Sequence, residues 1–578
     1  MSPASVASFA VLVCTFVSCL AGHQESGPVA PLFIEADAAT GIDFTHLNGG
    51  TGEFYLPEIT GQGGALFDFD NDGDLDLYCV QSGMIGKEQD PRKALLPWTG
   101  SVPPCGRLYR NDLTIAPDGR RTVRFKDVTS LAGIRACGYG MGVAAADVDN
   151  DGWIDLYLTH FGPNQLFHNN GDGTFTEVKD AGGAQTSLWS TSAAFLDYDR
   201  DGWLDLYVAD YVDFDVDRNI KCITRATVPD YCTPSVYASV PDRLFHNRGD
   251  GTFEDVTIAS GVGTEAESGL GVVAADLNGD GWTDIFVADD TTPNLLWINQ
   301  KDGRFSNEAL WSGVALSGIG KAQAGMGVDA NDFDGDGDED IVVAHIMGEA
   351  HILFRNQGNG LFDDRTAESG LGRLSLRYTA FGTGFFDFDN DGWLDLFMAN
   401  GAVSVIPELH QKGDPYPFSL GNTLLHNSAG KNLEDVTSSA GPAFRRAEVS
   451  RGTAFGDVDN DGDPDIVVFN NSGPTRLLLN QLGSDRNWIG LRLVGKDGRR
   501  DMLGARVQLV PEGGPPRWRR AHQDGSYCSS NDPRVLIGLD RLTKIKEAQI
   551  IWPDGTVERW RDLPVNRYST LRQGSAPK

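Results

Sequence analysis

The chain has 578 residues, a net charge of −33 at neutral pH and a pI near 4.6. That length holds more than one domain, and a surface this acidic argues against nucleic acid or an anionic membrane as the main partner. With 70 glycines and 40% hydrophobic residues it is a folded, turn-rich chain, not a disordered acidic tail.

Taken in chain order, the first feature is an apolar run at residues 5–21 followed by small residues. It reads as an export signal over 1–22, cleaved near Ala21 or Gly22, although no Lys or Arg precedes it. Cys19 keeps a lipoprotein anchor open as the minor alternative, and an uncleaved anchor is a third. The mature chain is expected to be secreted, extracellular or periplasmic, with no membrane span after cleavage. Six cysteines follow. Cys222 and Cys232 flank a short insertion and are expected to form a disulfide bond. Cys79 and Cys105 flank another and are the second candidate pair, while Cys137 and Cys528 have no obvious partner.

From residue 31 to 482 one pattern recurs seven times. In the unit that starts near Phe253, four short apolar runs are bounded by Gly, Asn and Asp. They are Phe253–Thr257, Gly271–Ala275, Ile285–Ala288 and Leu295–Asn299, and each carries a strand signal. Four-strand units of this length read as blades of an all-β, seven-bladed β-propeller. The run before each acidic turn is rich in small residues, as in Gly140-Met141-Gly142, which suits the crowded innermost strand. Pieces of the F-x-[DE]-V-T type begin at Phe33, Phe125, Phe175, Phe253, Phe305, Phe362 and Leu433. The first precedes the first acidic turn and none follows the last. Residues 31–44 are therefore expected to supply the missing strand of the last blade, leaving no open edge. Three units carry extra residues, at 81–106, 210–241 and 402–420. All three follow the strand that leaves the acidic turn, so they are expected on the face opposite to those turns, either as recognition loops on a rigid scaffold or as plain drift in loop length.

Between the second and third runs of each unit lies a nine-residue loop, D-x-[DN]-x-D-G-x-x-D. Its donors are Asp68, Asp70, Asp72 and Asp76 in the first copy; Asp147, Asp149, Asp151 and Asp155 in the second; and Asp197, Asp199, Asp201 and Asp205 in the third. The fourth has Asp276, Asn278, Asp280 and Asp284, and the fifth Asp332, Asp334, Asp336 and Asp340. The sixth has Asp387, Asp389, Asp391 and Asp395, and the seventh Asp457, Asp459, Asp461 and Asp465. Crowded carboxylates are unfavourable without a cation. Oxygen-only donors with Gly at the sharp turn select Ca²⁺ over Zn²⁺, and Mg²⁺ resists shedding its water. Up to seven structural Ca²⁺ ions are expected. His168, His246 and His426 share one strand position with Arg110, Ile298, Arg355 and Leu479, and read as tolerant surface sites. No residue is singled out as catalytic, and the Gly-rich runs lead into acidic turns, not helices, so they are not dinucleotide loops.

From about Arg486 to 575 the acidic loops stop and Arg becomes frequent, as in Arg517-Trp518-Arg519-Arg520. Short apolar runs continue, giving a small C-terminal β domain. Its basic stretch either docks on the acidic propeller or is a solvated strand face. The segments Gly504-Ala505-Arg506-Val507, Asp524-Gly525-Ser526-Tyr527, Val535-Leu536-Ile537-Gly538-Leu539 and Ile551-Trp552-Pro553-Asp554-Gly555 resemble the ASPIC/UnbV domain. The repeats resemble FG-GAP (VCBS-type) propeller repeats. Together they resemble the cartilage acidic protein family. That resemblance implies an exported, Ca²⁺-binding module for cell adhesion or matrix association, with an extracellular protein or glycan ligand. The alternative is a propeller-scaffolded glycan lyase or hydrolase.

Overall fold

The computed structural model describes residues 31–36, 38–224, 227–483 and 486–577. The export signal expected over 1–22, with Cys19, lies outside the described residues.

Each repeat forms a four-stranded antiparallel meander, since its strands are joined by short turns and every second residue faces a neighbouring sheet. In the fourth sheet the spatial order is Gly269–Ala275, Asp284–Asp289, Leu295–Asn299 and Phe305–Asn307. The seventh combines Ser450–Gly456, Asp465–Asn470 and Arg476–Asn480 with Phe33–Glu35 from the other end of the repeat region. Phe33 lies opposite Asn480 and Glu35 opposite Leu478. The innermost strands form a closed sequence of neighbours. Gly64–Phe67, Gly140–Ala146, Ser190–Leu196, Gly269–Ala275, Val328–Asn331, Ala380–Phe386 and Ser450–Gly456 each lie beside the next, and the last lies beside the first. The small residues are needed for this approach. A Cβ on Gly271 would lie 2.5 Å from the Met326 carbonyl oxygen, and one on Gly382 would lie 2.6 Å from that of Arg451.

The core is divided into layers between sheets. Val273, Phe286 and Leu296 of the fourth sheet pack with Ile341, Ile352 and Phe354 of the fifth. Ala194, Tyr207 and Leu244 of the third pack with Val272, Ile285 and Trp297 of the fourth. Each large side chain removed from water stabilises by about 1.5–3 kcal/mol.

The C-terminal domain consists of two sheets around one core. One has the order Val535–Asp540, Asn487–Val494, Tyr568–Arg572, and the other Arg517–Arg520, Arg506–Pro511, Ile545–Ile551, Val557–Trp560. Ile489, Leu491, Val507, Leu509, Ile537, Ile550 and Trp552 fill the space between them.

Cys222 and Cys232 are bonded, but the second pair differs from the expected Cys79–Cys105. Cys105 bonds Cys137, because the Gly106 N–H donates to the Ala136 carbonyl at 2.9 Å and sets the two segments side by side. Cys79 is buried as a free thiol at the end of its strand, beside Thr475, and Cys528 is also free and buried. Two disulfides suit an oxidising compartment. Among the described residues no helix is long and apolar enough to cross a membrane.

Candidate metal loops and the two faces of the ring

The nine-residue loop folds on itself through its own carboxylates. In the second copy, Asp151 and Gly152 donate backbone N–H groups to the two oxygens of Asp147, at 3.1 and 2.9 Å, and Trp153 donates to Asp151 at 2.9 Å. The last Asp, Asp155, accepts from Val148 N–H at 3.1 Å and from Asn169 N–H at 2.7 Å. The same two bonds hold Asp76, Asp205, Asp284, Asp340, Asp395 and Asp465. These carboxylates tie the loop to the third strand of the same sheet. The fourth position takes a left-handed conformation, filled by Asn71, Asn150, Arg200, Gly279, Gly335, Asn390 and Asn460. Asn and Gly tolerate that region, whereas Arg enters it at a cost.

The donor set fits a hard divalent cation. Ligand atoms of Asp68, Asp70 and Asp76 lie within 4.8 Å of one another, as do those of Asp147, Asp149 and Asp151. Asp70 and Asp197 each bury an Oδ1 with no hydrogen-bond partner. Burial first, then neighbouring carboxylates, raises Asp284 and Asp461 to about 8 and holds Asp76 and Asp465 well above the usual carboxylate range. Without a cation these groups hold protons at neutral pH; a bound ion supplies the opposite charge that lets them ionise.

The three histidines read as surface sites instead lean into their own loops. His168 Nδ1 is 3.2 Å from both Asp149 and Asp155, and His246 Nδ1 is 3.0 Å from Asp205. His426 Nε2 lies 3.6 Å from Asp389. Arg355 holds Asp334 and Asp336 from the same strand position, and Lys301 reaches Asp280 from the following turn at 3.1 Å. In five units the position carries a His or Arg, and where it is Ile298 the cation comes from Lys301 instead; Leu479 brings none.

A set of residues missed in the sequence joins the sheets. The Asn ending each third strand sends its side-chain NH₂ to the carbonyl of the second loop residue in the preceding sheet. Asn111 reaches Val458, Asn169 Phe69, Asn247 Val148, Asn299 Tyr198, Asn356 Leu277, Asn427 Phe333 and Asn480 Phe388, at 2.6–3.1 Å. All seven are buried. The signal was present: an Asn closes the third strand in every unit, including those where the residue before it varies.

The C-terminal domain covers the loop face. Arg534 donates to Asn460 Oδ1 at 2.8 Å and to the Asp457 carbonyl at 3.0 Å, and Tyr568 donates its hydroxyl to Asp457 at 2.8 Å. Arg517 stacks over the Trp393 ring at 4.6 Å. The Arg517–Arg520 strand is thus docked on the propeller, not solvated. Its continuation, residues 521–532, enters the axis and touches the innermost strand of every sheet. Gly525 N–H donates to Val272, Val328 N–H to the Ser526 carbonyl, and Ser526 meets Thr453 at 2.7 Å. The Tyr527 ring packs edge-on against Phe381 at 4.9 Å. Cys528 accepts from Val143 N–H and donates its own to Ser192 Oγ, while Ser530 exchanges backbone bonds with Gly64 and Leu66. Burial would raise Asp524, but Arg520 and His522 beside it hold it at about 2.

A family model for FG-GAP-like repeats matches residues 147–208, 235–287, 276–343 and 332–398, and one for ASPIC and UnbV matches 495–578. The chain is an FG-GAP repeat protein with a C-terminal ASPIC/UnbV domain. The matched repeats contain the second to sixth loops; the first and seventh are recognised by their geometry. This FG-GAP protein is 25% identical to Cartilage acidic protein 1 of Homo sapiens over 436 residues, covering 72% of this chain and 60% of the relative. The Mus musculus protein matches at the same identity, and that of Xenopus tropicalis at 23% over 431 residues. The resemblance to the cartilage acidic protein family therefore holds, and the chain spans about 60% of the length of the curated relatives it matches. A solved Agrocybe aegerita structure, described as recognising non-reducing terminal N-acetylglucosamine, matches at TM-score 0.37 and 17% identity, over 60% of this chain and 84% of that one. That is too distant to bear on a ligand.

The other face of the FG-GAP ring has different chemistry. The three insertions join second to third strands, so they lie at the end of the sheets away from the loops. They build an aromatic floor. Trp189 packs edge-on against Tyr211 at 4.9 Å, Phe214 against Tyr237 at 5.3 Å, and Tyr231 lies 5.7 Å from Phe418. Segment 54–62 seals this end of the axis. Arg451, fully buried, donates to the Ile59 carbonyl from Nε at 2.9 Å and from Nη2 at 2.6 Å, and lies 4.1 Å over Phe381. Glu58 is buried among Tyr231, Asn48 and Asn471, and burial pushes its carboxyl up to about 8. Above this floor, Leu95, Val102, Ile220, Ile223 and Val236 project into solvent from the first two insertions.

Proposed function

We propose that this chain is an exported, non-catalytic binding module, stiffened by up to seven Ca²⁺ ions, whose insertion face captures a protein or carbohydrate ligand in a matrix or adhesive setting. The carrying observation is the asymmetry of the two faces. The loop face is covered by the chain's own C-terminal domain and the axis is filled, while exposed aliphatic side chains gather on the insertions. Aromatic rings beneath an exposed apolar surface suit capture of a protein hot spot or a sugar face. The loop donors are all oxygens, which favours Ca²⁺, and extracellular Ca²⁺ modules bind in the ~10⁻⁴–10⁻³ M range. The relation to cartilage acidic protein supports the matrix setting.

A glycan array and a pull-down from extracellular matrix extract, each with calcium and with EDTA, test the reading. Capture that needs calcium, is lost in Val102→Asp with Ile223→Asp, and releases no product supports it. Shortened glycan or release of an unsaturated sugar would favour the lyase or hydrolase instead.

A further inference from the structure

The seven loops are chained to one another around the face by a second set of bonds. The side chain at the fourth loop position reaches the carbonyl of the sixth-position Gly in the next loop. Asn71 donates to Gly152 at 2.9 Å, Asn150 to Gly202 at 3.1 Å, Asn390 to Gly462 at 2.8 Å and Asn460 to Gly73 at 3.2 Å, and Arg200 donates to Gly281. Two links cannot form this way, because the fourth position is Gly279 in the fourth loop and Gly335 in the fifth. The carbonyls left without a loop donor are those of Gly337 and Gly392. Arg506 Nη2 donates to Gly337, and Arg519 Nη2 donates to Gly392 at 3.2 Å.

We propose that the C-terminal domain functions as the closing clamp of this chain of loops, with Arg506 and Arg519 replacing the two links that Gly279 and Gly335 omit. The substitution is specific in geometry. Arg506 is held by the Trp518 ring, 5.3 Å away, and Trp518 itself packs on Gly337. At Gly335 a Cβ would meet the Trp393 ring at 3.1 Å, so the fifth loop has exchanged its own donor for an indole that Arg517 covers. Around Gly279 nothing lies within 4 Å of an added Cβ, and its φ of +73° is one that Asn accepts. Arg500 and Arg534 also reach sixth-position carbonyls, at Gly202 and Gly73, but there an Asn already donates. A guanidinium carries its charge at any working pH and offers several donors in one plane, so it can bridge two domains where a short amide cannot reach. The domain is then a structural part of the ring.

The test uses the full chain at saturating calcium and reads amide exchange by mass spectrometry. Arg506→Ala should speed exchange in residues 332–340 by about tenfold or more, the loss expected for one charged hydrogen bond. Residues 147–155 should not change. Adding Gly279→Asn should return residues 332–340 to within about threefold of the parent, by restoring the within-ring link. Arg506 also lies 3.5 Å from Asp276 and 3.8 Å from Glu339, and a neutral Asn at position 279, although in the loop of Asp276, brings no positive charge to replace those ion pairs. Rescue therefore isolates the carbonyl link. If Arg506→Ala does not fold, Arg506→Gln takes its place, with the same rescue. Unchanged exchange in 332–340, or failure of Gly279→Asn to restore it, overturns the proposal.

Discussion

The two faces of the ring are made by the same strands and obey different rules. On the loop face each unit repeats one device: a carboxylate turn, an Asn staple to the neighbouring sheet and, in five of the seven, a link to the next loop. On the insertion face the three insertions differ in length and composition, while the Thr after the fourth strand repeats one bond to the third strand, as from Leu108 N–H to Thr129 and Leu244 N–H to Thr257. Repetition marks the parts that every sheet needs in order to stand beside its neighbour. Irregularity marks the parts released from that duty; exposed apolar side chains project there and also from the recurring turns after the fourth strands, as at Ile258 and Leu310. The contrast separates the scaffold from the surface proposed for recognition.

Chelation should break the contrast most strongly. With millimolar calcium and affinities near 10⁻⁴ M, seven sites contribute on the order of 10 kcal/mol, so EDTA should lower the melting temperature by roughly 8 °C in calorimetry. A melting temperature that ignores EDTA would remove the metal from the account. Next in size is Asp284→Ala, which deletes a buried carboxylate and orphans the Leu277 and Asn299 N–H groups; it should cost about 3–5 kcal/mol in denaturant unfolding. Asp524→Asn should cost about 2–3 kcal/mol, because Arg520 loses one of its buried partners and retains Glu339 at 3.1 Å, and exchange in 521–532 should rise.

Glu58 sharpens the comparison through pH. Its folded-state value is about 8 against an ordinary 4.5, so between those values the fold holds a proton that the unfolded chain has released. Stability then falls as pH rises through that window, by at most about 1.4 kcal/mol per pH unit. Glu58→Gln should match the parent near pH 5 and melt about 2–4 °C higher at pH 8. Equal melting at both would show that the carboxyl is not held neutral. The smallest stability effect is expected at Ile223→Asp, within about 0.5 kcal/mol, because the side chain is 63% exposed. If its ligand capture is also unchanged, the recognition surface lies elsewhere.

Much of this was legible in the chain, and the reason is range. The loop closes on itself through bonds spanning four or five residues, as from Asp151 and Gly152 to Asp147, so its chemistry appears whole within nine letters. The strands announce themselves by local alternation. The Asn staples were equally periodic, but what they touch is not local: Asn111 donates to a carbonyl 347 residues away. The cysteines misled for the same reason. Cys79 and Cys105 look paired because they bracket an insertion, yet pairing follows the backbone bond from Gly106 to Ala136 that sets Cys105 beside Cys137.

By itself the sequence determined the repeat number, the order of strands in each sheet and the clustered carboxylates of every loop. Each of these depends on neighbours in the chain, where periodicity and short-range hydrogen bonding leave few alternatives. Only the tertiary structure decided which face the C-terminal domain covers, that residues 521–532 fill the axis, that three histidines answer the loop charge, and that Arg506 and Arg519 complete the ring. Those are contacts between segments far apart in the chain, and their partners are set by how the sheets close on one another, which local pattern does not encode.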